Sequence, residues 1–468
     1  MKTGSGTLIL SGANTYSGGT TINGGTIIAG GNALLSSGGT FTAGVFGDGH
    51  TQTGGAAGAQ SITLGGANVN SGDGNDGTAA TGASPTVLIG GAYTVGIPIT
   101  VANIATTGTY GIGGSTNNNA TFSGTITLNQ GLTVTQAATT GTNALNLTGG
   151  SIVGSTVASN STNLTFNNVG AVNVGDVITD GAGAMTTLSK MSVVQSGAGT
   201  TTFTGVNTYT GTTSVNAGKL YVNNASGSGT GSNSVNVSSG ATLAGNGFIK
   251  PTTGTGVTLN GKLSSGGAQN SAVNTITGTG LTLDNSANLA KILTVNSGSN
   301  LTFNLGYIAG NPANANNFSA PISSQSTFLN VLGNTNAEIT FTAGGVDTIT
   351  LVDLTVGSGQ DLALRYYNNP YLLIQAGSDA DYSGLYTTGT GHTGDGYVLG
   401  VANGLGGYNA FTIQVTDING NLTNTYTGLQ LYLFNGDLEV VPEPSTWVMM
   451  LGGLALLVAI QRRKNKLG

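Results

Sequence analysis

Two short acidic stretches and two histidines are the residues of this chain whose types and spacing suit metal chemistry. Asp379-Ala380-Asp381-Tyr382-Ser383-Gly384 spaces three oxygen ligands, Asp379, Asp381 and Ser383, as the front half of a calcium loop does. An EF-hand loop adds a bidentate glutamate at its twelfth position, but Thr390 stands there and no helical period flanks the stretch. Asp73 and Asp76 lie in GDGNDG at 72–77, a second acidic turn. Those six residues also fit G-x-G-x-x-G. With 82 glycines in 468 residues, such spacing arises by chance and marks no nucleotide loop. His50 and His392 each sit in a glycine-rich stretch, far apart and with no cysteine to join them, so solvated loops are expected for both. No metal or cofactor is expected beyond these incomplete calcium patterns.

Catalysis finds no better footing. Glycan cleavage needs grouped carboxylates, or a basic residue beside them. Sixteen acids precede Pro442, and they are scattered, with none between Asp76 and Asp176; Arg365 is the only arginine before Pro442. The expectation is a non-enzyme, with a carbohydrate-active β-helix enzyme as the alternative.

The elements that must carry these residues are β-strands. Charged residues make up 6% of the chain against roughly 25% in an average globular protein. Hydrophobic residues reach 38%, which with a net charge of −6 argues against disorder. Before Pro442 the seven basic and sixteen acidic residues leave a net charge of −9, which excludes an electrostatic footprint for nucleic acid. Short runs such as SVNVSSGATLAGNGFI (234–249) and ILTVNSGSNLTFNLG (292–306) alternate apolar residues with Thr, Ser and Asn, then break at Gly or Asn. No capped helical period occurs in 1–440.

The chain also repeats itself. GTLILSGANTYSGGTTINGGTI (6–27) and GTTTFTGVNTYTGTTSVNAGKL (199–220) align without a gap at an offset of 193. The pairs Asn14/Asn207, Tyr16/Tyr209 and Gly25/Gly218 are identical, and Leu10/Phe203 and Ile22/Val215 are conservative. Short strands, tight turns and repetition predict a β-solenoid over 1–354, with a β-sandwich as the other all-β solution. From about 355 the strands lengthen, and nine of the fifteen tyrosines fall between Tyr366 and Tyr432. A C-terminal β cap or small β domain is therefore predicted over 355–440, closing the open end of the solenoid.

These repeats, with GATLAGNGFI at 240–249, resemble the autotransporter-associated β-strand repeat, whose Asn-Thr-Tyr-[Ser/Thr]-Gly core is intact in both copies. The resemblance implies an all-β, right-handed parallel β-helix displayed at a Gram-negative cell surface. About 30 residues beyond the predicted cap cannot supply an outer-membrane barrel, so self-translocation is not expected. GDGNDG is similar to one calcium-binding nonapeptide of the RTX type, but Thr78 replaces the large apolar residue and no tandem copy follows.

Residues 441–468 differ from everything before them. Pro442-Glu443-Pro444 precedes Trp447, an uncharged apolar run to Ile460, and the cluster Arg462-Arg463-Lys464. The segment resembles the PEP-CTERM sorting signal. That resemblance implies processing by an exosortase-type membrane protease in an exopolysaccharide-producing bacterium, with transient inner-membrane insertion through 447–460. A single hydrophobic helix is expected there, with Trp447 at the interface and the basic cluster cytoplasmic. Its 14 residues would span about 21 Å of a core about 30 Å thick, which favours a signal over a permanent anchor. MKTGSGTLILSG at the other end has no apolar run long enough for a signal peptide, so the true start is expected upstream. The expected role is an exported structural or adhesive surface protein, with extracellular polysaccharide as a partner.

Overall fold

Strands of three to five residues with alternating apolar side chains bury one face each, and here they do so by stacking coil on coil. The computed structural model describes residues 1–33 except Ser17, 44–47, 60–66, 84–103, 108–155, 161–181, 190–266, and 280–305 except Asn288. Beyond these it describes 329–332, 338–342, 348–353, 371–375, 381–383, 385–387, 396–402, 408–416, 422, 429–434 and 437–442. Among the described residues there is no helix, and none long and apolar enough to cross a membrane.

The chain forms a parallel β-helix. Three parallel sheets of six, thirteen and eleven strands, here faces A, B and C, run along it. A representative coil places Tyr110–Gly114 on face B, Ala120–Phe122 on face C and Ile126–Leu128 on face A, before Leu132–Gln136 returns to face B. Each strand pairs in parallel with its counterpart in the next coil, which excludes the β-sandwich alternative. Just after the second repeat the coil is regular for two turns, Thr213 pairing with Val235 and Val235 with Val257 in steps of 22 residues, before longer coils follow.

Inward positions form rows along the axis. Ile62, Ile99, Ile126, Ile152 and Ile178 stack on face A, each fully or nearly fully buried. β-Branched side chains suit this arrangement because their stiff χ1 fits the pleated surface. On face C, Phe203 meets Phe166 of face B edge-on, with ring centroids 5.6 Å apart. Where faces B and C meet, a polar stack interrupts the apolar core. Gln195 Nε2 donates to Asn168 Oδ1 (3.1 Å), and the hydroxyl of Thr201 donates to Gln195 Oε1 (2.7 Å), all three residues being buried. Satisfied amide stacks of this kind fix register between coils, since a slip would strand their polar atoms.

The predicted boundary at 354 is not where parallel pairing stops. Tyr371–Gln375, Asp381–Ser383 and Thr412–Thr416 continue it, pairing with Leu329–Leu332, Glu338–Phe341 and Thr348–Asp353. The cap grows out of a fourth sheet. It begins as a solenoid face at Phe248–Ile249 and turns antiparallel where Tyr371–Gln375 meets Asp437–Pro442. Antiparallel strands Leu429–Phe434, Gly396–Ala402 and Leu385–Thr387 then complete it. The sequence change near 355 thus marks longer, more apolar strands, while the pairing itself switches later.

Candidate functional site

The second copy of the repeat motif occupies a corner where face A ends. After Thr200–Phe203, the chain places Asn207-Thr208-Tyr209 on the third side of the coil in place of a face A strand: the Thr208 amide donates to the Ile178 carbonyl of the preceding coil (2.9 Å). Asn207 joins three coils. Its Oδ1 accepts from the Ile178 amide (2.8 Å), while its own amide and Nδ2 donate to Ser228 and Gly229 carbonyls (2.7 and 2.6 Å). Tyr209 is fully buried. The Thr213 hydroxyl donates to the Thr230 carbonyl (3.0 Å), so the tyrosine O–H is the donor in its bond to Thr213. Burial holds that phenol well above its ordinary pKa.

The first copy keeps the bonds to the following coil, although its strands Thr7–Leu10 and Thr20–Ile22 lie on faces B and A where Thr200–Phe203 and Thr213–Val215 lie on faces C and B. The Asn14 amide and Nδ2 donate to Gly44 and Val45 carbonyls (3.0 and 2.7 Å), and the Tyr16 hydroxyl meets Thr20 Oγ1 (2.8 Å). Gly25 (φ +70°) and Gly218 (φ +59°) close the motif in both. A Cβ there would lie about 2.4 Å from the carbonyl oxygens of Gly4 and Gly6, or of Gly197 and Gly199. Only glycine takes that backbone conformation without a steric cost and also leaves room for the coil beneath. What the motif does chemically is seal a corner, and none of its groups is activated.

Asp176, just before the last face A strand, Val177–Thr179, is a functional-type residue in a structural place. Its Oδ1 accepts from the Gly150 amide (2.9 Å), but its buried Oδ2 has no partner. Burial raises the carboxyl pKa, partly offset by the amides of Gly150 and Gly149. A raised folded pKa means that the protein is favoured below the ordinary value of 3.8 and loses stability as pH rises through the folded pKa. Asp176→Asn keeps the acceptor and removes the charge. It is expected to raise unfolding free energy at neutral pH by about 1 kcal/mol, with the gain vanishing near about pH 3. Denaturant titrations at the two pH values check this; a variant no more stable than wild type at neutral pH refutes it.

The last described strand ends at the first residue of the Pro442-Glu443-Pro444 triplet. Strand Asp437–Pro442 pairs along its whole length with Leu429–Phe434, Asp437 opposite Phe434 and Pro442 opposite Leu429. Pro442 is therefore the last residue of the sheet, a position that tolerates its missing amide. Glu443, Pro444, Trp447, Arg462, Arg463 and Lys464, with the apolar run 447–460, lie outside the described residues.

Of the calcium candidates, Asp381 and Ser383 lie in strand Asp381–Ser383, opposite Glu338 and Thr340. Their backbone is extended and paired, not wrapped as a calcium loop wraps. Asp379, Asp73 and Asp76 lie outside the described residues, as do His50 and His392. Among the described residues no three His, Asp or Glu gather as metal ligands would. Sequence reading placed the Asn-Thr-Tyr motif but missed why Asn207 is there. The signal was its position, one coil beyond a strand whose amide needs an acceptor.

Comparison with known families agrees with this geometry. Residues 2–29 and 193–222 match the passenger-associated-transport-repeat model, and residues 440–464 match the PEP-CTERM protein-sorting motif. No curated protein sequence matches the chain. Passenger-associated-transport repeats thus build two corners of the parallel β-helix, and the sorting motif begins where its cap ends; together they mark an exported protein of the Gram-negative cell surface or exterior, sorted through exosortase, a membrane protein.

Proposed function

We propose that the protein is a non-catalytic structural or adhesive element, retained in the extracellular matrix of an exopolysaccharide-producing bacterium after processing at its Pro442-Glu443-Pro444 signal. The observation that carries this reading is a long parallel β-helix whose outer rows are mostly neutral and hydrogen-bonding. On face A, Thr63, Thr100 and Thr127 stand in register on the outer side, and on face C Asn173 Nδ2 donates to Asn146 Oδ1 (3.0 Å). Such rows repeat every strand, about 4.8 Å, and offer a long polymer many equivalent weak contacts. The rod needs no chemistry to work in this role: stiffness comes from the stacked core, and retention from summed surface contacts.

A strain lacking the gene is expected to shed cells and matrix into the medium while its polysaccharide-depolymerising activity stays at the wild-type level. Sedimentation of matrix-bound protein and a reducing-sugar assay on culture supernatants check both halves. Loss of polysaccharide cleavage as the sole phenotype would overturn the proposal in favour of an enzyme.

A further inference from the structure

The outer side of face C holds an arrangement that the neutral rows elsewhere do not. Thr200, Lys219, Thr242, Lys262 and Asn300 stand on one outward row, in register across five strands. Thr202, Tyr221, Ala244, Ser264 and Thr302 form the row beside it. Lys219 and Lys262 are two strands apart, so their backbones are about 10 Å from each other with only Thr242 between. Before Pro442 the chain has seven basic residues, and two of them share this row.

Among the described residues no carboxylate stands on either row. Lys250 shows how a lysine is satisfied elsewhere in the fold: its ammonium meets Asp284 at 2.9 Å. Lys262 has the opposite situation. Partial burial and the charge of Lys219 both push its pKa down, as expected for a cation that lacks a counter-charge. Ala244 faces outward but is only 1% exposed, flanked by the half-buried Tyr221. The patch therefore combines two ammoniums with no carboxylate on their rows, an aromatic ring and the hydroxyls of Thr242 and Ser264, on a protein whose net charge is otherwise acidic.

We propose that this part of face C binds a segment of acidic polysaccharide. Carboxylates on the glycan take Lys219 and Lys262, the Tyr221 ring packs against the apolar face of a sugar, and the flanking hydroxyls bond to sugar hydroxyls. The assignment rests on the adhesive reading above and names its ligand class.

The test uses the purified full chain, immobilised polygalacturonate as the acidic probe and dextran as the neutral one. Wild type is expected to bind polygalacturonate over dextran, with affinity falling as salt rises. Lys219→Gln with Lys262→Gln is expected to weaken polygalacturonate binding about tenfold, while Lys219→Arg with Lys262→Arg retains it. An unchanged melting temperature in both double variants shows that the fold is intact. Equal binding of both glycans by wild type, or full binding by the glutamine variant, overturns the assignment. Wild type that stays in the native matrix but ignores polygalacturonate sinks this site and spares the adhesive role; a deletion strain with normal matrix retention sinks the role itself.

Discussion

Tyr209→Ala is expected to cost about 3–5 kcal/mol and to split the unfolding of the solenoid into two transitions. The side chain is fully buried and its hydroxyl donates to Thr213, so truncation opens a cavity and removes a hydrogen bond together. The location makes the effect larger than a cavity alone. In a stacked-coil protein each coil contacts only its neighbours, and stability is close to a sum of coil and interface contributions. The Tyr209 corner is the third side of that interface, beside the strand pairing of faces B and C: Asn207-Thr208 bonds back to Ile178 and forward to Ser228 and Gly229. Weakening it lets the coils up to Val177–Thr179 unfold separately from those after Thr213–Val215. Denaturant unfolding followed by tyrosine fluorescence and by far-ultraviolet dichroism would show the transitions part company.

Two companion variants make that expectation sharp. Tyr209→Phe loses the hydroxyl bond alone and should cost about 1–1.5 kcal/mol, with the single transition kept. Tyr16→Ala removes the same motif residue from the first copy, where the ring is 40% exposed. With less burial to lose it should cost about 1 kcal/mol or less. Equal losses at Tyr16 and Tyr209 would mean that the motif acts within its own coil and does not lock neighbours together.

How much of this could be read from the chain depends on which residues carried a periodic signal. The two Asn-Thr-Tyr copies were legible because a turn that closes a corner needs a fixed set of side chains and a positive-φ glycine, and Gly25 and Gly218 supply it. The coils between them were far less legible. Leu145–Leu147, Ser151–Val153 and Ala171–Val174 are three or four residues long, too short for period-two alternation to stand out from chance. Their identity comes from register with the coil above, which is a property of the stack and not of the segment. The direction of strand pairing beyond 354 was not legible for a related reason. Composition changes near 355, but Thr412–Thr416 still pairs in parallel with Thr348–Asp353, because a strand's side-chain texture does not state the direction of its partner.

The candidate site was legible in a different way. The Pro-Glu-Pro tail is a linear signal, read by residue type and order, and needs no fold to be seen. Lys219 and Lys262 are 43 positions apart in sequence and say nothing alone; only the register of face C sets them on one row. Asp176 is likewise silent in sequence, where it is one scattered acid among sixteen.

Cutting the chain after Pro442 is expected to leave its melting temperature unchanged, whereas ending it at Gly436 should cost roughly 3 kcal/mol or more. The difference is one strand. Asp437–Pro442 is paired on both sides, to Leu429–Phe434 and to Tyr371–Gln375, and it carries the fully buried Leu438. Its loss would expose the edge of the solenoid's last parallel strand on that face, the kind of edge that invites pairing with other chains. A sorting protease acting at or beyond Glu443 therefore finds a segment whose removal leaves every described strand intact. Folding and processing are separable by this design, and a second variant tests the separation in the cell. Glu443→Ala should leave the fold and its melting temperature as they are while the unprocessed form, with Trp447–Gly468 still attached, accumulates in the membrane fraction. Mass spectrometry of the C-terminal peptide decides the matter: mature surface protein that keeps the intact tail in the wild type would show that the signal is not a processing site at all.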